Sequence, residues 1–189
     1  MTLQLPTIVL ASKSPRRRDL LTAAGIPFDL LELDVDESYP AEMPVDDVAE
    51  YLARKKAGEA IKLAPEEIIL TADSVVIQNS KIYEKPVDRE DAIRIISQLA
   101  GNTHYVITGV CLISKDKTIS FSDRSDVWMA PMAVDEITFY IDNFQPFDKA
   151  GAYGVQDWIG VTKVQRIEGS YHTIMGLPVH EVYRRLREF

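Results

Sequence analysis

Residues 68–77 read IILTADSVVI, an almost unbroken apolar run with a carboxylate, Asp73, near its middle. A short run of this kind is the pattern of a strand buried on both faces. A carboxylate taken out of water alone is prohibitively unfavourable, so Asp73 must be paired, bound to metal, or shifted towards its neutral form. A structural ion pair or a strand end turned to solvent meets that demand. So does a position facing a cleft, which the length of the apolar run favours. Shifted or metal-bound carboxylates make water nucleophilic near neutral pH. The hydroxyls of Thr71 and Ser74 stand beside Asp73 and suit contact with a substrate or with that water.

A second group follows the first apolar run, where residues 12–18 read SKSPRRR. Ser14 is a good N-cap and Pro15 suits the first helical position, so a helix starts here. Its first turn then carries Arg16, Arg17 and Arg18, although the positive end of a helix prefers acids. A solvated basic turn costs little. The alternative is an anion cradle, in which backbone N–H groups, the hydroxyls of Ser12 and Ser14 and forked guanidiniums converge on phosphate. The acidity of the rest of the chain favours the cradle.

Three weaker signals add to these. Residues 148–156 read DKAGAYGVQ, where small residues let the backbone pass close to a ligand and Lys149 supplies a cation. Lys56 continues the row of Val48 and Leu52, so its head reaches the inner side of a helix or snorkels past it. Lys85 precedes a proline. Ordinary surface lysines would look the same. Asp34, Asp36 and Glu37 form an acidic patch of oxygen ligands suited to Mg²⁺, or else a solvated loop. There is no GxxxxGK[ST] loop, GxSxG elbow or HExxH helix, which removes P-loop, α/β-hydrolase and zincin chemistry.

The elements that must position these groups alternate. Strands are expected at 7–11, 68–77, 105–114 and 118–129, with a hairpin arm at 82–83 after a turn at 78–81. Helices are expected from Ser14 onward, over 46–60 capped by Asp46 or Asp47, after Asp88 up to Gly101, over 134–144, and from Pro178 with Val179, Val182, Tyr183 and Leu186 inward. Mixed strands and helices without a low-complexity linker mean one α/β domain over residues 1–189.

The 189 residues suffice for a sizeable core. Lys and Arg number 21 against 29 acids, a net charge of −8, which argues against a nucleic-acid partner. Any anion site must be local. The lone Cys111 lies in an apolar run and excludes a disulfide framework; His104, His172 and His180 lack metal-ligand spacing. No apolar stretch approaches the roughly 18 residues of a membrane span, and no signal-peptide pattern opens the chain. A soluble, cytoplasmic protein without a membrane partner is expected.

ASKSPRRRDLL, DVDES, LARKKA, TADSVV, EKP, HYVITGV, DKAGAYGVQ and GSYHTIMGLP succeed one another between residues 11 and 178. In that order they resemble the Maf family of nucleotide pyrophosphatases over nearly the whole chain. The resemblance implies a single elongated Maf-like domain, a mixed twisted sheet with two lobes around a cleft, related to the inosine triphosphate pyrophosphatase fold. It implies hydrolysis of nucleoside triphosphates between the α and β phosphates with a divalent cation, Mg²⁺ or Mn²⁺, in a protein that forms homodimers. Asp73 corresponds to the proton acceptor, and Arg16, Ser74 and Gln156 to the substrate-specificity positions. The DKAGAYGVQ form resembles the branch acting on dTTP and UTP.

Three departures stand out: Ser74 for threonine, Asp157-Trp158 where glycine is common after the glutamine, and Trp128-Met129 for Thr-Phe. Added to the reading of the cradle, the lysines and the acidic patch, this predicts that Glu37 and Asp73 hold the metal, while Ser12, Ser14, Arg16, Arg17, Lys56, Lys85 and Lys149 bind phosphate. The alternative is a nucleotide-binding regulator of cell division with little or no turnover.

Overall fold

The computed structural model describes residues 5–189; residues 1–4 of the expected domain lie outside the described residues. In chain order the elements are β1 (Ile8–Leu10), α1 (Pro15–Ala23), β2 (Phe28–Leu30), α2 (Val48–Leu63), β3 (Ile69–Gln78), β4 (Lys81–Tyr83), α3 (Arg89–Leu99), β5 (Thr103–Ile113), β6 (Thr118–Met129) and α4 (Val134–Phe144). Two single 3₁₀ turns, Pro146–Asp148 and Ala150–Ala152, lead to α5 (Trp158–Thr162), β7 (Val164–Glu168), α6 (Tyr171–Met175) and α7 (Val179–Leu186). Seven strands form one mixed sheet in the order β2-β1-β3-β5-β6-β7, with β4 pairing β3. Strand β1 runs parallel to β2 and β3, whereas the β3–β4 and β6–β7 pairs are antiparallel. The fold is mixed α/β.

The chain divides into two compact units. The first comprises the described part of Met1–Asp73 with Thr108–Asp123 and Gly176–Phe189. Val48 and Leu52, expected in one row of α2, are buried, and Ala49, Ala53, Ala57 and Ala60 widen that face. Small residues let α2 lie close to the sheet. A Cβ on Gly109 of β5 would stand 2.2 Å from the backbone nitrogen of Glu50, so no larger residue fits there without moving the helix. The Thr71 hydroxyl donates to the Ala53 carbonyl at 2.7 Å and ties β3 to the same helix. Cys111 is buried beside Ala53 and Ala57, and burial pushes its thiol up to about 11, which leaves it an inert apolar filler.

The second unit comprises Ser74–Ile107 and Arg124–Met175. Strand β3 extends through Gln78, one residue into the expected turn, and the reversal falls on Asn79 and Ser80. Both have positive φ, 51° and 58°, the requirement of a two-residue hairpin loop that matches strand twist. Asp88 caps α3 as expected, its carboxylate accepting the Asp91 N–H at 2.8 Å. Ala92, Ile95, Ile96 and Leu99 of α3 pack with Ile137, Tyr140 and Ile141 of α4 and with Val155 and Ile159 in one core. Ser14 and Asp47 occupy N-cap positions, but neither side chain makes a capping hydrogen bond.

Candidate active site

Strand β3 is buried at eight of its ten positions; the two half-buried residues are Asp73 and Ser74. Asp73 ends the first segment of the first unit and Ser74 begins the second unit. The Asp73 Oδ1 lies 2.5 Å from Lys56 Nζ, and that ammonium also meets Glu37 Oε1 at 2.7 Å. With side chains only 14% and 13% exposed, Lys56 and Asp73 form a pair largely withdrawn from water. Of the alternatives open for a carboxylate in this strand, pairing is realised. Lys56 reaches it because its position extends the inner row of α2.

The SKSPRRR segment builds the neighbouring group in the same unit. Pro15 opens α1 and its first turn holds no acid. The Ser12 hydroxyl oxygen accepts from Arg17 Nη1 at 3.1 Å and from the Ser14 N–H at 3.2 Å, while Arg17 Nε donates to the Gly176 carbonyl at 2.8 Å. Arg17 is thereby anchored at two points before any ligand is present. Burial lowers its pKa, opposed by the negative charge of Asp73; nearby Arg16 adds to the lowering and Glu37 opposes it. A guanidinium nevertheless stays protonated in proteins. Cations and carboxylates thus interleave within this unit, with Arg16 and Arg17 on one side of the balance and Asp73 and Glu37 on the other.

The three acids of the patch separate. Asp34 pairs with Lys13 at 3.3 Å in the open. Asp36 is exposed and binds the Ser38 hydroxyl and Lys55, and the Ser38 hydroxyl foremost holds its pKa down to about 2. Only Glu37 shares a partner with Asp73. Among the described residues there is no group of three or more His, Cys, Asp or Glu side chains that could hold a metal ion, so any cation here relies on few protein carboxylates.

The remaining expected residues lie in the second unit. Ser74 is half-buried at its start and Lys85 is exposed. The Glu84 carbonyl, next to Lys85, accepts the Gly151 N–H at 3.1 Å and so joins the EKP segment to the DKAGAYG segment. Gly151 has φ +70°, and a Cβ there would stand 2.9 Å from a Val76 methyl, two independent reasons for glycine. Lys149 is bound by Asp148 at 2.8 Å and lies 3.8 Å from Asp157. The Gln156 side-chain oxygen is buried and has no hydrogen-bond partner.

Several polar residues escaped the sequence reading. Tyr140, fully buried on α4, donates to Asp157 Oδ2 at 2.8 Å and accepts the Gly154 N–H at 3.0 Å. His104, also buried, meets the Tyr153 hydroxyl at 2.7 Å, and burial lowers its pKa to about 4. The inward side of α4 gave the one available signal for Tyr140; nothing in spacing links it to the glycine-rich segment.

No helix of the described residues is long and apolar enough to cross a membrane. A family model described as Maf-like protein matches residues 7–189. Among known proteins, the dTTP/UTP pyrophosphatase of Bacteroides fragilis is 45% identical over 183 residues, spanning 96% of this chain and 95% of the relative. That of Parabacteroides distasonis is 44% identical over 185 residues, with the same two coverages. Among solved structures, a HAM1 protein from Coxiella burnetii matches 98% of this chain and 100% of its own at 13% identity, with a TM-score of 0.48. The family match spans almost every described residue, including Asp73, the arginine turn and the glycine-rich segment: the chain belongs to the Maf-like protein family.

Proposed function

We propose that this protein hydrolyses dTTP and UTP, and pyrimidine triphosphates modified on the base, to the nucleoside monophosphate and pyrophosphate. The observation that carries the proposal is the Asp73 carboxylate, placed in an otherwise buried strand and charge-balanced by Lys56 at 2.5 Å beside an anchored arginine turn. The names of the relatives from Bacteroides fragilis and Parabacteroides distasonis support the choice of base.

Asp73 accepts a proton from water as its oxygen attacks the α-phosphorus. The new P–O bond forms opposite the bridging oxygen, the α–β anhydride bond breaks, and pyrophosphate leaves with the electron pair. Arg16, Arg17 and Lys56, with Lys85 and Lys149, bind phosphate oxygens and stabilise charge building on the leaving group. The Ser12 hydroxyl, whose oxygen already accepts from Arg17, donates its hydrogen to phosphate, and Ser14 contributes from the start of α1. Gln156, Ser74 and Arg16 select the nucleotide.

Glu37 and Asp73 fit a divalent cation such as Mg²⁺ or Mn²⁺. Both are oxygen donors already gathered on one positive centre, and Mg²⁺ usually takes one or two carboxylates plus phosphates and water. When bound, the cation neutralises phosphate charge and polarises the phosphorus for attack. A homodimer belongs to the same reading.

The test is a panel of common, methylated and deaminated triphosphates with Mg²⁺ or Mn²⁺, scored for pyrophosphate release. Release from dTTP and UTP ahead of the purine triphosphates is expected. Binding without release from any of them would replace the enzyme with a nucleotide-binding regulator.

A further inference from the structure

The Tyr140 hydroxyl is the centre of a three-way link that the reaction above leaves unused. A carboxylate only accepts, so the hydroxyl must give its hydrogen to Asp157, which leaves its lone pairs for the Gly154 N–H. The direction of both bonds is therefore fixed. A Cβ on Gly154 would stand 2.5 Å from Asp157 Oδ2 and 3.0 Å from Gln156 Nε2. Carboxylate and amide thus both fold back over the glycine, and a larger residue there would have to push them aside. Lys149, 3.8 Å from Asp157, keeps the carboxylate charge-balanced. Tyr140 itself is stacked on Phe144 with ring centroids 5.2 Å apart and buried in the core of its unit.

Next to this link the Gln156 oxygen is buried without a donor. A buried acceptor in that condition is unfavourable until a ligand supplies an N–H. The ring imide of uracil and thymine presents an N–H at its pairing edge, where cytosine presents a bare ring nitrogen.

We propose that Tyr140 and Asp157 are positioning residues for base selection, holding the 154–157 turn so that the Gln156 oxygen meets the imide N–H of a bound pyrimidine. This rests on the reading that Gln156 selects the base. Tyr140→Phe removes the donor to Asp157 and the acceptor for Gly154 together, and Asp157→Ala breaks the link from the other end. Asp157→Asn keeps an oxygen acceptor and restores much of it.

The experiment measures kcat and KM for dTTP, UTP and CTP in wild type, Tyr140→Phe, Asp157→Ala, Asp157→Asn, Gln156→Ala and the Tyr140→Phe/Gln156→Ala double variant. The readout is the ratio of kcat/KM for dTTP to that for CTP, from which the fraction of folded enzyme cancels. Tyr140→Phe and Asp157→Ala are each expected to lower that ratio by about tenfold, chiefly through KM for dTTP, with Asp157→Asn close to wild type. The double variant should be no less selective than Gln156→Ala alone, since both changes act through one amide. A ratio unmoved by Tyr140→Phe and Asp157→Ala, with Gln156→Ala collapsing it, overturns the positioning role and leaves the base reading intact. A ratio unmoved by Gln156→Ala overturns both.

Discussion

With one oxygen 2.5 Å from Lys56 Nζ, the Asp73 carboxylate is balanced before substrate arrives, and the same ammonium reaches Glu37 at 2.7 Å. An isolated charge at this depth would be prohibitively unfavourable, and the ammonium partner offsets that cost. Asp73→Asn keeps the shape and loses the basic oxygen, so kcat should fall by about 10² to 10⁴ with little change in KM, read from initial rates of pyrophosphate release. Turnover near the wild-type rate would remove Asp73 from the role. Asp73 was visible in the sequence because an acid inside an apolar run violates a local rule, and Lys56 was visible as the polar member of an apolar helical row. Tyr140 was not, because it sits unremarked within its helix; Asp157 stood out only as a departure from the family's glycine, and nothing in the spacing links it to α4.

At the scale of elements, the position of Lys56 depends on how closely α2 approaches the sheet. Gly109 sets that approach: a Cβ there would meet the Glu50 nitrogen at 2.2 Å, and helix backbone has no rotamer by which to yield. Gly109→Ala should cost about 1–3 kcal/mol or more, seen as a lowered urea midpoint, and should reduce activity even where the protein remains folded. A variant of unchanged midpoint would mean that the helix shifts freely. The longer elements were legible: α3 from its apolar spacing and the Asp88 cap, β6 from its length. Strands β2 and β7 and helices α5 and α6, three to five residues each, are too short to show a period and exist because neighbours pair or pack with them. The need for glycine at 109 was hidden too, since the sequence around it reads as an ordinary apolar strand.

Across the whole molecule, the chain passes between the two units inside strands at three points, Asp73–Ser74 in β3 and within β5 and β6, and at a fourth, Met175–Gly176, in the connection from α6 to α7. Composition shows no boundary at any of these points. One buried group should mark the stability of the second unit. His104 is 1% exposed, with its pKa lowered from 6.5 to about 4 by burial. Between those values the unfolded chain binds a proton that the folded one refuses, so stability is fully present above pH 6.5 and is lost as pH falls towards 4. The shift corresponds to about 3 kcal/mol. Thermal unfolding should show Tm falling from pH 6.5 downward, before most carboxylates titrate, and His104→Gln should remove that early part of the decline. A Tm constant from pH 7 to 5 in the wild type would contradict it.

In the proposed reaction water attacks the α-phosphorus and Asp73 takes the proton. Turnover of dTTP in ¹⁸O-labelled water, followed by mass spectrometry of the products, tests it directly. The label should appear in dTMP alone, with pyrophosphate unlabelled and equimolar, and Asp73→Asn should suppress both products. Label in pyrophosphate, or release of dTDP and phosphate, would put the attack at another phosphorus and rule this reaction out.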